Sequence, residues 1–254
     1  MPYSPDVELD DGIRFSENLL LAMMPERLRE KLEPHGKHVM LEVGDILFAS
    51  GDNVEYTFFP YKPTMISLLV DLDDKRRVEV ASIGQEGAIG GIVSCGDLPA
   101  YTRSEVQVAG TALKIPMHIV EELKRDSLFM RDLYCRYADY LLAQVMQSVA
   151  CNAFHPIECR AARWLLTAQD RSGDRLELTQ EALAGLLGVQ RTTVNAVARQ
   201  LQAEGLISYR RGVITVKDRE ELEHRSCECY ASVHKHFRKV LGSKESSWIA
   251  SCEA

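Results

Sequence analysis

The sequence predicts an α+β chain in three parts: a small all-β sandwich or barrel of about eight strands, one long helix, and a C-terminal winged helix-turn-helix. Three observations carry that reading. Between Val39 and Ile115 the apolar residues come in short β-rich runs broken by Gly, Asp, Asn and Pro. Residues 117–150 then contain neither Gly nor Pro. Finally, LTQEALAGLLGVQRTTVNAVARQLQAEGLISYRRGVITV, residues 178–216, sets two helical patterns apart with glycine and ends in a basic hairpin.

In chain order, SENLLLAMMPERLREKLE (16–33) mixes apolar and polar residues in a way that suits one or two short helices. The runs DILFA, MISLLV, VEVASI, SEVQVAG and ALKI follow as strands. Met130, Leu133, Tyr134, Tyr137, Leu141, Leu142, Val145 and Val149 then recur at three- and four-residue intervals, predicting a helix from Ser127 to Ala150. At the standard rise it spans about 36 Å, longer than one small barrel. One side can lie on its own strands while the other meets a second copy across a two-fold axis. The alternative is an ordinary helix buried within the monomer.

Pro156 is suited to starting the next helix, ECRAARWLLTAQDR, which RSGDR closes. Thr179 is placed to cap LELTQEALAGLLG, with Leu183, Leu186 and Leu187 inward and Gly188 as its stop. Val189 plugs the turn, and Val194, Val197, Ala198 and Leu201 form the inward stripe of a second helix, residues 190–203.

What faces out there is Gln190, Arg191, Thr192, Thr193, Asn195 and Arg199. Arg can grip guanine with two hydrogen bonds, Asn or Gln can do the same with adenine, and Thr can hold base or phosphate. Arg210 and Arg211, at the hairpin tip, suit a phosphate-gripping wing, while Thr179 and Gln180 can donate to the same backbone. The formal charge of -7 argues against indiscriminate coating of nucleic acid. Residues 186–217 reverse the sign locally, with Arg191, Arg199, Arg210, Arg211 and Lys217 against Glu204 alone. The expectation is double-stranded DNA; the alternative is a scaffold subunit whose winged module contacts protein.

The order of these parts resembles the cyclic-AMP receptor and fumarate-nitrate-reduction regulators, the Crp/Fnr family of bacterial transcription factors. The matching pieces are LEVGDILFASGDNVEYTFFP, IGQEGAIGG, the long helix after IVEEL, and the helix-turn-helix with its wing, over about residues 30–225. The resemblance implies a cyclic-nucleotide-binding-like sensor β-barrel of jelly-roll type at 1–126, a dimerisation helix at 127–150, a winged helix-turn-helix at 151–225 and a C-terminal extension at 226–254. It also implies a homodimer on palindromic promoter DNA, with RNA polymerase as a further partner and Arg191 reading guanine; the lack of a membrane-span run or signal core adds the expectation of a cytoplasmic protein. Thr192 stands where the cyclic-AMP receptor has glutamate, so that receptor's operator is not carried over.

The sensor half departs from the nucleotide binders of that family. In GAIGGIVSCGDLPAYTRSEVQV, Gly90 and Ile92 fit the Gly-Glu-Leu ribose motif, but Gly91 replaces its carboxylate. Arg103 is out of register with the phosphate contact and lies close to Glu105, so control by a cyclic nucleotide is not expected. Residues 1–94 hold no cysteine for the iron–sulfur cluster of the oxygen sensors; His35, His38 and His118 lie in or beside the β region, where one-histidine haem ligation, the minor alternative, would need no sequence signature. No cofactor is expected.

Seven cysteines, an odd count in a chain of 254 residues, argue for reduced thiols rather than a disulfide framework. CNAFHPIEC sets Cys151, His155 and Cys159 four residues apart, but Pro156 breaks the helix that would align them. HRSCECYASVHKH gathers His224, Cys227, Cys229, His234 and His236 with a Cys-x-Cys tighter than usual zinc spacing. Neither stretch is assigned a metal on spacing alone; thiolate chemistry in the second remains open. No enzyme is expected: the acids of VDLDDKRRVEV look like a charged hairpin tip, and there is neither a Gly-Lys-Ser/Thr phosphate loop nor HExxH. No apolar run reaches the length of a membrane span, and MPYSPDVELD has neither the basic start nor the apolar core of a signal peptide.

Overall fold

The computed structural model describes residues 8–9, 14–74, 76–92 and 98–242. Lys75 of the charged hairpin, Cys95, Cys252 and residues 243–254 of the expected extension lie outside them.

Two short helices, α1 (Leu19–Met23) and α2 (Glu26–Leu32), lie near the start of the described fold. Asn18 caps α1: its side-chain oxygen accepts from the amides of Leu20 and Leu21, and its Nδ2 donates to the carbonyls of Pro60 and Gly87. Every hydrogen-bonding position of this buried side chain is thereby used.

The strands are β1 (Glu8–Leu9), β2 (Lys37–Leu41), β3 (Ile46–Phe48), β4 (Tyr56–Pro60), β5 (Met65–Asp71), β6 (Arg77–Ile83), β7 (Arg103–Val108) and β8 (Gly110–Pro116). They form two antiparallel four-stranded sheets, ordered β1-β2-β8-β4 and β3-β7-β5-β6. The expected jelly-roll barrel is corrected here: neither sheet closes. β1 and β4 remain the edges of one, β3 and β6 of the other, and among the described residues only isolated bridges occur outside the ladders, Asn53 with Pro99 and Phe58 with Ile89.

The two sheets instead share a core. Val39, Leu41, Phe58 and Ala112 from one meet Phe48, Ile66, Ile83 and Val106 from the other. Alternating apolar residues specify which face of a strand is buried, and that is the same in an open sandwich and a closed barrel. Closure depends on edge pairing, which β1 and β3, only two and three residues long, do not supply.

Helices α3 (Met117–Asp126) and α4 (Leu128–Phe154) cover the outer side of the first sheet with α1 and α2. Ser127 caps α4 with its hydroxyl on the Met130 amide. Tyr137 keys the helix to the sheet, its Oη accepting from the Ala88 amide and donating to the Ala88 carbonyl, both at 2.9 Å. α4 ends at Phe154, four residues beyond the expected Ala150, because Cys151 and its neighbours continue the helix until His155 turns extended before Pro156.

After that turn come α5 (Ile157–Ser172), β9 (Arg175–Glu177), α6 (Gln180–Leu187), α7 (Arg191–Ala203), β10 (Ile207–Arg210) and β11 (Val213–Val216). β9 joins the hairpin in a small sheet of order β10-β11-β9, with Leu176 opposite Ile214. It has only one buried residue, too short a pattern to be legible as a strand. The module's core runs from α5, α6 and α7 onto Met65 and Leu69 of β5. α8 (Arg219–Arg225) then packs on α5, and α9 (Cys229–Val240) returns to pack along α4. No described helix is long and apolar enough to cross a membrane.

Candidate nucleic-acid interface

The turn between α6 and α7 sets the geometry of the site. Thr179 accepts from the Ala182 amide at 3.1 Å, fixing the start of α6. Gly188 closes the helix in the left-handed region (φ 66°), where a side chain is strained, and its amide returns to the carbonyls of Ala184 and Gly185. Val194, Val197, Ala198 and Leu201 of α7 are buried against α5 and α6, as their spacing predicts. The opposite face of α7 is left to solvent.

On that face Arg191, Thr192 and Arg199 are exposed, as is Gln190 just before the helix, while Thr193 and Asn195 are half-buried. Arg191, Asn195 and Arg199, one turn apart, line a groove together with Thr179 and Gln180 of the preceding cap and Arg211 of the hairpin. The Gln180 Nε2 lies 3.4 Å from the Asn195 Oδ1, a weak link between the two helices. Gln190, Thr192, Thr193 and Arg210 are not among the groove's lining residues; Gln190 instead borders a cleft between α6 and the β5–β6 hairpin.

The hairpin turns on two residues, Arg211 (φ 51°) and Gly212 (φ 79°), a pair of positive φ angles that suits the twist of a tight β-hairpin. Arg211 is the only described non-glycine residue with positive φ, and this places its side chain on the groove wall. Tyr209, Gln202, Glu181 and Gly212 complete the lining. Gln202 extends the Arg191–Asn195–Arg199 row by one more helical step and was legible on that ground; its carboxamide accepts from the Tyr209 amide at 2.8 Å. Tyr209 in turn donates to the Leu178 carbonyl at 2.9 Å, bracing the wing against α6.

Electrostatics separate this face from its surroundings. Arg175 pairs with Glu177, Arg219 with Asp170 and Glu223, and Arg225 with Glu204. Among the described residues no carboxylate forms an ion pair with Arg191, Arg199, Arg210 or Arg211. Cations left unpaired on one face are available to an external polyanion.

Elsewhere the expected residues fall differently. Of the long-helix set, Met130, Leu133, Tyr134 and Tyr137 are buried in the chain's own core; Leu141 and Val145 are half-buried, and Leu142 and Val149 exposed. Gly91 has φ 66°, and a Cβ there would lie 2.4 Å from the Met117 sulfur. Arg103 is engaged with Glu105 at 2.9 Å, and Arg77 reaches the same carboxylate at 3.2 Å.

Residues 159–225 match the model of the Crp-like helix-turn-helix domain. No curated protein sequence matches the chain. Among solved structures, a transcriptional regulator of the Crp/Fnr family from Eubacterium rectale superposes with a TM-score of 0.63 at 18% identity, covering 81% of this chain and 96% of that one. FixK2 from Bradyrhizobium japonicum gives 0.65 at 14% identity, covering 76% and 98%. The c-di-GMP-responsive global regulator CLP from Xanthomonas campestris gives 0.60 at 18%, covering 76% and 100%. With its N-terminal sheets, long helix and winged module in this order, the chain has the fold of the Crp/Fnr-family transcriptional regulators and carries a Crp-like helix-turn-helix domain at residues 159–225.

Proposed function

We propose that the chain is a homodimeric, sequence-specific regulator that reads palindromic promoter DNA through residues 190–203 and answers to a signal other than a cyclic nucleotide. The observation that carries this reading is the groove itself. Arg191, Asn195 and Arg199 from one helix face, Thr179 and Gln180 from the neighbouring cap, and Arg211 from the wing converge on one exposed concavity. Arg191 and Asn195 are the base readers in this reading; Gln190, Thr192 and Thr193 flank them on the major-groove side, and Thr179, Gln180, Arg199, Arg210 and Arg211 hold the backbone.

The sensor half, residues 1–126 in the proposed division, supports the second part of the reading. Gly91 carries no carboxylate to hold a ribose hydroxyl and sits at a positive φ that strains any side chain, and the positive charge of Arg103 is already compensated by Glu105. Pairing of two copies through α4 would present two recognition helices about one helical turn of DNA apart. RNA polymerase is the partner such a regulator would contact from the promoter.

Selection of duplexes from a random pool by the purified full chain tests the reading. The expected result is enrichment of a two-fold symmetric motif with half-sites about one turn apart, bound with an affinity that falls steeply as salt rises. No preference for any duplex over random sequence at any salt concentration would overturn it.

A further inference from the structure

We infer that the hinge between α4 and the winged module is a zinc site, built from Cys151, His155, Cys227 and Cys229. Sequence spacing splits these residues into two incomplete halves, and the fold closes the gap. Cys151 lies in the last turn of α4 and His155 is the residue that ends it; Cys227 and Cys229 bracket the turn from α8 into α9. The packing of α9 along α4 brings the halves together, and all four ligand atoms lie within 4.8 Å of one another.

The distances suit one tetrahedral ion. Bonds of about 2.3 Å to sulfur and about 2.0 Å to nitrogen place ligands of a tetrahedral zinc about 3.5–3.8 Å apart. Cys151 and Cys227 stand 3.5 Å apart, sulfur to sulfur, and the Cys229 sulfur lies 3.4 Å from the His155 Nδ1. Three thiols and one imidazole are a recurrent structural zinc set, with no position open for substrate. A polynuclear iron–sulfur cluster needs its thiolates spread around a larger core. A Cys151–Cys227 disulfide would use two of the four convergent donors and leave the others idle.

The surrounding residues fit the same assignment. The His155 Nδ1 faces the sulfurs, while its Nε2 lies 3.3 Å from the Glu228 carboxylate, the arrangement that fixes the tautomer of a metal-bound histidine. Gln147 donates to the Cys229 sulfur at 3.1 Å. The three sulfurs are buried, where thiolates need compensating charge.

His224, His234 and His236 stand apart from the site, at contact distance from Glu221, Asp170 and Asp139 respectively. Arg160, five residues past His155, donates to the carbonyl of Leu187 at the end of α6. The ion therefore sits where the long helix, the C-terminal helices and the helix-turn-helix meet, and its binding would fix their relative placement.

Metal analysis of the reduced full chain, and cobalt substitution after chelation, test this without reference to DNA. The expected result is about one zinc per chain, with cobalt giving intense tetrahedral ligand-field bands and thiolate charge-transfer bands. Both signals should be lost in Cys151→Ser and Cys227→Ser and kept in Cys135→Ser, whose thiol is exposed on α4 away from the site. Glu228→Gln keeps all four ligands and should weaken zinc about 10-fold or more in competition with a chromophoric chelator. Wild-type protein that takes up no stoichiometric zinc or cobalt would overturn the assignment. So would an iron–sulfur chromophore, or uptake that survives both cysteine substitutions.

Discussion

Arg191 occupies the first turn of a helix whose other face is sealed into a core, so its guanidinium has nothing within the described chain to neutralise it. Two hydrogen bonds to guanine would give it a base to read, and that role differs in kind from the phosphate contact proposed for Arg211. Arg191→Ala should cost about 1–3 kcal/mol of discrimination per half-site. Arg211→Ala should weaken selected and scrambled duplexes by similar factors. Fluorescence anisotropy with both duplexes checks this; equal losses from the two substitutions would move Arg191 onto the backbone. This face was legible in the sequence because residues three and four apart on one helix share a side whatever the rest of the chain does. The thiol cluster was not, since Cys151 and Cys227 are 76 residues apart and only the return of α9 along α4 joins them.

At the scale of elements, α4 has two apolar faces with different fates. Met130, Leu133, Tyr134 and Tyr137 seal it onto the sheet. Cys135, Ala138, Leu142, Val145 and Val149 follow a three-then-four spacing along another side, where Leu142 is 51% and Val149 65% exposed, with Met146 at 61% beside them. That spacing is a coiled-coil seam, and the second copy is the proposed cover. Leu142→Glu combined with Val149→Glu should convert a dimer to a monomer in sedimentation analysis while leaving the helical circular dichroism intact, because neither side chain supports the chain's own core. A wild-type monomer, or a double variant that stays dimeric, would place the interface elsewhere. Periodicity disclosed the helix and both of its faces. It could not disclose which face the chain covers itself, nor that the strands before it would remain two open sheets. Both depend on which distant surfaces meet.

At the scale of the whole molecule, the winged module is docked onto the sheet β3-β7-β5-β6 through α5. Arg171, buried, donates from its Nε and Nη2 to the Glu86 carboxylate at 2.8 and 2.6 Å and to the Ser82 carbonyl at 2.9 Å; Trp164 donates to Glu79 of β6 at 2.9 Å. Desolvation pushes the Glu79 carboxyl up to about 7, against the opposing pull of the Ser67 hydrogen bond, the Arg163 and Arg171 charges and the Trp164 hydrogen bond. A carboxyl whose folded value is raised favours the folded, docked state when protonated. Its contribution is complete below the ordinary range near 4.5 and is lost as pH rises through about 7. Glu79→Gln keeps a neutral group in the same place and removes that loss. The variant should therefore gain thermal stability relative to wild type as pH goes from about 5 to about 8, with the gap levelling off once Glu79 is ionised. Parallel melting curves across this range would show that the carboxyl ionises freely and that docking does not sense it. If the gap opens as expected, ionisation of the Glu79 carboxyl buried between β6 and α5 lowers the stability of the folded chain near neutral pH.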